Sequence, residues 1–162
     1  MMNIRCAQIE DLTAVTEIYN EAVLHTTATF DTVRRTLEQQ EQWFAQHGDA
    51  YPVLVAEKDG EVVGWSSLNR YSDRMAYART AELSLYIRSD RRGQGIGKTL
   101  LGRTLEEGRK AGLHTVLSRI TGGNDSSVHL HRVYGFETVG TMREVGIKFG
   151  QLLDVVIMQK ML

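Results

Sequence analysis

The sequence predicts a mixed α/β domain, an α+β arrangement of helices around a mixed sheet, on three observations. Segments with the two-residue period of strands alternate with segments of helical period, no linker or low-complexity stretch interrupts them, and 162 residues suit a single core.

The elements follow in order. NIRCAQ reads as a short strand, and Asp11 is placed to cap a helix whose apolar stripe is Leu12, Val15, Ile18, Tyr19 and Ala22. The hydroxyl-rich HTTATFD is a loop, and TLEQQEQWFAQHG a second helix. Trp43, Phe44 and, on a later strand, Trp65 are expected in the core. YPVLVAEK, the pair Asp59-Gly60 and EVVGWSSLNRY make a hairpin with a tight turn. AELSLYIR is a strand with Leu83, Leu85 and Ile87 on one face and Glu82, Ser84, Tyr86 and Arg88 on the other. The loop RRGQG feeds a helix from about Ile96 to Lys110, striped by Ile96, Leu100, Leu101 and Leu105. HTVLSRIT is a further strand, a short helix opens after Asn124, and two strands close the chain. Gly135 suits the left-handed position after that short helix, with Phe136 folding back onto it.

Composition excludes several classes. Nineteen basic and twenty acidic side chains give a net charge of -1, so neither nucleic acid nor an anionic membrane is an expected partner, and any anion binding must be local. The single cysteine, Cys6, cannot form an internal disulfide or a zinc cluster, which fits a reducing, cytoplasmic setting. MMNIRCAQIEDL lacks the apolar core of a signal peptide, and no apolar run approaches the roughly 20 residues of a membrane span. His129 and His131 fall on different helix faces without matching carboxylates, so no metal is expected. Arg34 and Arg35 read as solvated surface.

The chemistry concentrates in RRGQGIGK, where Gly93, Gly95 and Gly97 precede a helix N-terminus. Glycines let the backbone approach a ligand, and the free N–H groups of a helix start favour phosphate oxygens. Two phosphate patterns fail here. A Walker A loop needs glycine where Arg92 stands, and a dinucleotide fingerprint needs glycine where Lys98 or Leu100 stands.

What remains, Arg92-x-x-Gly95-x-Gly97, resembles the pyrophosphate loop of the GCN5-related N-acetyltransferases. Together with IYNEAVLHTTATFD, YARTAELSLYIRSDRRGQGIG, NDSSVHLHRVYGF and GIKFGQLLDV, it is similar across essentially the whole chain to the phosphinothricin and methionine sulfone or sulfoximine N-acetyltransferases. The resemblance implies a splayed central sheet that holds acetyl-coenzyme A. Pyrophosphate would sit on the amides of Arg92, Gly93, Gln94, Gly95, Ile96, Gly97 and Lys98; pantetheine would pair with the backbone of Leu85, Tyr86 and Ile87; Asn124 and Ser127 would contact the coenzyme arm. It also implies a homodimer and a small amino-acid acceptor.

The family's proposed catalytic pair matches Glu82 and His131. Only a free amine attacks a thioester, so a base must take a proton from the ammonium form. Glu82 is the candidate base, with desolvation raising its pKa and a nearby Arg74 lowering it. His131 is a candidate acid for the departing thiol; read from its residues alone, it is equally a core-edge histidine bonded to a carbonyl. On the acceptor side the resemblance points to Thr27, Phe30, Arg74, Tyr77 and Tyr86. Phosphinothricin enzymes carry a lysine where Ser72 stands here, so one positive charge is missing and methionine sulfone, methionine sulfoximine or methionine is the expected acceptor. Two other functions keep the glycine loop: a non-catalytic acyl-coenzyme A sensor, and an acetyltransferase acting on a protein N-terminus or lysine.

Overall fold

The computed structural model describes residues 1–162. The chain forms β1 (Met2–Cys6), α1 (Leu12–His25), α2 (Leu37–Ala45), β2 (Val53–Lys58), β3 (Glu61–Arg70), β4 (Thr80–Ile87), α3 (Ile96–Lys110), β5 (Thr115–Thr121), α4 (Asp125–Val133), β6 (Glu137–Lys148) and β7 (Gln151–Met161). One seven-stranded sheet runs in the order β1-β2-β3-β4-β5-β7-β6. Every neighbouring pair is antiparallel except β4 and β5.

The local signals act as the sequence expects, with two corrections. Asp59 and Gly60 both take positive φ, 54° and 80°, as the tight turn between β2 and β3 requires. At the end of α4, Gly135 sits at φ 86° and the Phe136 N–H donates to the His131 carbonyl at 3.0 Å, closing the helix. Asp11 does not cap α1 with its side chain. Its carboxylate accepts from the Gln8 N–H at 2.7 Å and pairs with Arg5 at 2.8 and 2.9 Å, which ties the single turn before α1 to β1 and holds the carboxyl below its ordinary range. Arg35 is not free surface: its guanidinium lies 5.1 Å from the Tyr19 ring centre and pairs with Asp31 at 3.4 Å.

The alternation along each strand divides the core. On one face Val15, Ile18, Tyr19 and Val23 of α1 meet Val55 and Trp65, with Trp43 of α2 beside them. On the other, α3 lays Ile96 and Leu100 on Leu54, Ala56 and Val63, while Leu101 and Leu105 join Leu68, Ala81 and Leu83. One polar pair pins α3 to β3. Thr104 donates its hydroxyl proton to the Leu100 carbonyl at 2.7 Å, so the Ser66 hydroxyl, 2.5 Å away and fully buried, donates to Thr104. Thr104→Val leaves that donor without an acceptor, at an expected cost of about 1–3 kcal/mol, whereas the double change with Ser66→Ala removes both partners and costs less. Urea unfolding of the two variants measures the difference.

Candidate functional site

The site begins where two strands part. β4 pairs with β5 only from Thr80 to Glu82, opposite Thr115 to Leu117. β5 stays with β7 for its whole length, and β4 stays with β3 as far as Ile87, so the gap opens on one side of β4 only. Arg88 donates its N–H to Val63 of β3, and the antiparallel alternation therefore turns the backbone groups of Leu83, Leu85 and Ile87 away from β3, toward the gap. The Ile87 carbonyl takes the Arg92 side chain at 3.3 Å.

At the mouth of the gap stands the glycine loop. Gly93 and Gly95 take φ of 74° and 79°, the left-handed region, and Gly95 is the residue from which α3 starts. A cleft of about 690 Å³ runs along Leu85, Tyr86 and Ile87 to Arg92, Gly93, Gly95, Ile96 and Gly97, with Asn124 and Ser127 of the facing helix and Thr27 of the long loop on its other wall. Gln94 and Lys98 lie outside this lining: the Gln94 side chain accepts from Lys58, and the Lys98 carbonyl accepts from Tyr134. Asn124 caps α4 with its side-chain oxygen, which accepts from the Ser127 N–H at 3.3 Å.

The cleft deepens into a cavity of about 90 Å³ between β4 and β5. Ala28, Leu85, Tyr86, Asn124, Ser127 and Leu130 line both, so the cavity is the inner end of one passage. His131, Ser118 and Arg119 face it. The His131 ring is buried, with Nδ1 2.7 Å from the Ser127 carbonyl and Nε2 2.9 Å from the Ser118 hydroxyl. A carbonyl only accepts, so Nδ1 carries the proton and Nε2 receives the Ser118 O–H. Burial holds the imidazole below its ordinary value, the carbonyl bond opposing it, and this histidine is neutral at pH 7. Burial pushes the Tyr86 phenol up to about 12, with Thr29 working the other way, so it is a hydrogen-bond donor at neutral pH.

Glu82 is half-buried at the last paired position of β4. Its partner is not Arg74. The Arg119 Nε stands 2.7 Å from Glu82 Oε2, reaching across from β5. Arg74 and Tyr77 are exposed on the connection between β3 and β4, where Tyr77 meets Tyr71 edge-on with ring centres 5.2 Å apart; neither lines the cleft or its inner cavity. Phe30 points to β6, its ring filling the space a side chain at Gly146 would need.

Sequence reasoning missed the groups that hold the loop between α1 and α2. The buried Lys148 donates to the Thr29 carbonyl at 2.8 Å, Thr121 donates to the Thr27 carbonyl at 2.5 Å, and Tyr19 bonds both Thr29 and Asp31. The GIKFG motif contains Lys148, but nothing in its composition tells that the ammonium turns inward.

A sheet opened between two parallel strands, with a glycine loop and a helix N-terminus at the opening, presents free backbone N–H groups in the arrangement that favours phosphate oxygens. The chain belongs to the acetyltransferase (GNAT) family, whose model matches residues 13–136. It is 41% identical over 159 residues to an L-methionine sulfoximine/L-methionine sulfone acetyltransferase of Pseudomonas paraeruginosa, covering 97% of this chain and 92% of that protein. A Brucella melitensis structure described as a ribosomal-protein-alanine N-acetyltransferase superposes with a TM-score of 0.95 at 43% identity, covering 99% of each chain. A phosphinothricin acetyltransferase of Sinorhizobium meliloti, solved with acetyl-coenzyme A, gives 0.96 at 35% identity over 99% of this chain and 88% of that one.

The buried neutral histidine has a measurable consequence. Because folding lowers its pKa, the unfolded chain takes up this proton first, so the contribution of His131 is complete above its ordinary value of 6.5 and is lost as pH falls below it. Thermal unfolding at pH values from about 7.5 to about 5.5 is expected to show a falling midpoint, and His131→Asn to flatten that slope.

Proposed function

We propose that this chain transfers acetyl from acetyl-coenzyme A to the α-amine of a small amino acid or amino-acid analogue. The observation that carries the reading is the gap beside β4: the backbone groups of Leu85 and the N–H of Ile87, turned away from β3, lead to a glycine loop at a helix start, in the order that a pantetheine arm and a pyrophosphate need. Gly97 supports the fit. A Cβ there would meet Ile87, Leu130 and Leu85 at 3.8 Å, ordinary contact, so the protein's own packing does not demand glycine while close approach of a ligand does. In this reading the amides from Arg92 to Lys98 hold pyrophosphate, Leu85 to Ile87 pair with pantetheine, and Asn124 and Ser127 flank the arm.

Bound acetyl-coenzyme A supplies the thioester carbonyl that an amine attacks. Glu82 takes the proton from the acceptor's ammonium group, directly or through one water. His131 plays the smaller part. With the proton on Nδ1, its Nε2 has none to give, and the ring instead orients the Ser118 hydroxyl in the inner cavity. The departing thiol, of pKa about 8.5, leaves tolerably as the thiolate.

The sulfone and sulfoximine acceptors named for the Pseudomonas relative are the expected class, consistent with Ser72 in place of a second cation. A homodimer accompanies the reading. Phe149 takes a left-handed φ of 52° at the turn between β6 and β7 and stays exposed beside Ile147 and Leu152, a strained display of apolar groups that a second copy would cover. Acetylation of a protein N-terminus is the second reading, favoured by the likeness to the Brucella structure.

Thiol release from acetyl-coenzyme A, with mass spectrometry of the product, tests these readings on a panel of methionine sulfone, methionine sulfoximine, phosphinothricin, ordinary amino acids and a peptide N-terminus. Turnover on the sulfone or sulfoximine with little on phosphinothricin is expected; turnover on the peptide alone would transfer the function to the second reading, and binding without turnover would leave a sensor. Glu82→Gln is expected to lower kcat by about 10²–10⁴. His131→Asn, which keeps a donor for the Ser127 carbonyl, is expected to lower it less than about tenfold.

A further inference from the structure

We propose that Arg119 receives the α-carboxylate of the acceptor, and that the Glu82–Arg119 ion pair is a two-point receptor for an α-amino acid. The inference rests on the amino-acid reading above and adds a specificity-determining residue to it.

Three observations converge. Arg119 lines the inner cavity and carries its guanidinium to Glu82, which itself lies just outside the lining, whereas Arg74 and Tyr77 neither line the cleft or the cavity nor pair with Glu82. Its Nε stands 2.7 Å from Glu82 Oε2 and the guanidinium pairs with no residue other than Glu82, so a ligand carboxylate meets no further protein competitor for its donors. The pair is also partly exposed, 55% for the Arg119 side chain and 28% for Glu82, and an ion pair so hydrated holds weakly and opens cheaply.

The separation of the two charges suits one ligand class. In an α-amino acid the amine nitrogen and the carboxyl carbon lie about 2.5 Å apart, one carbon between them. An ammonium placed on the Glu82 carboxylate therefore sets its own carboxylate beside Arg119, and one hydrated ion pair is exchanged for two charge-assisted contacts with the ligand. A lysine side chain or a peptide N-terminus brings the amine without the adjacent carboxylate. Each would leave Arg119 paired to Glu82, with the base still occupied.

The test compares methionine sulfone with its carboxamide, which keeps the amine and removes the negative charge. In the unmodified protein the acid is expected to exceed the amide in kcat/KM by about 10- to 100-fold, the range of a hydrogen bond to a charged group. Arg119→Gln is expected to lower kcat/KM for the acid by that factor and to leave the amide nearly unchanged, so the ratio falls toward one; Arg119→Lys, which keeps the charge without the fork, is expected to restore part of it. Calorimetric binding of acid and amide to the coenzyme A complex gives the same comparison without turnover, and unchanged coenzyme affinity certifies the fold of each variant. Arg74→Gln serves as the control and is expected to preserve the ratio. A ratio kept in Arg119→Gln, or lost in Arg74→Gln, overturns the assignment while leaving amino-acid acetylation intact. Absence of turnover and binding for every amino acid overturns the underlying reading, and this one with it.

Discussion

Everything in the site depends on where β4 leaves β5. Three paired residues hold the strands together at Thr80 to Glu82, and beyond them the backbone of β4 has a neighbour on one side only. Free N–H and C=O groups inside a sheet are costly unless something meets them, so the parting leaves the gap side of β4 to water or to a bound ligand. The hydrogen bond from Arg92 to the Ile87 carbonyl meets one of them and fixes the loop at the gap's mouth. Glu82 sits at the last point of contact between the strands. Its position is thereby set by the same pairing that ends there.

The second wall of the passage is irregular chain, and it is held by long-range polar bonds. Thr27 and Thr29 offer their carbonyls to Thr121 of β5 and Lys148 of β6, while Tyr19 of α1 fastens Thr29 and Asp31 from below. Burial lowers the Lys148 pKa, with Asp31 opposing, yet its ammonium donates to a carbonyl at 2.8 Å. These bonds tie α1, β5 and β6 to one short segment. The position of this wall is then set by the sheet and α1 rather than by the loop's own sequence.

Local chemistry was legible in the sequence because it depends on near neighbours. The glycines before α3, the turn at Asp59-Gly60, the helix end at Gly135 and the two faces of β4 all follow from spacing and backbone conformation. Arg119 was invisible for the opposite reason. Its pairing with Glu82 depends on the parallel register of β4 with β5, which no period in either strand encodes. Arg35 and Lys148 share that cause: a cation reads as surface unless the groups that fold onto it, Tyr19 and Asp31 or the Thr29 carbonyl, are known. Arg74, by contrast, is legible as an arginine in a motif, but its exposed place on the β3–β4 connection separates it from the passage it is expected to serve. Asp11 was assigned to the right helix start and the wrong partner, since Arg5 competes for its carboxylate.

The claim that the parted strands are the coenzyme's seat is tested most directly by amide hydrogen exchange, followed residue by residue with and without coenzyme A. Slowed exchange at Leu85, at Ile87 and along Arg92 to Lys98, with the amides of β1 and β2 unchanged, is the result this account predicts. Protection that appears elsewhere while the Leu85 and Ile87 amides exchange as before would contradict it.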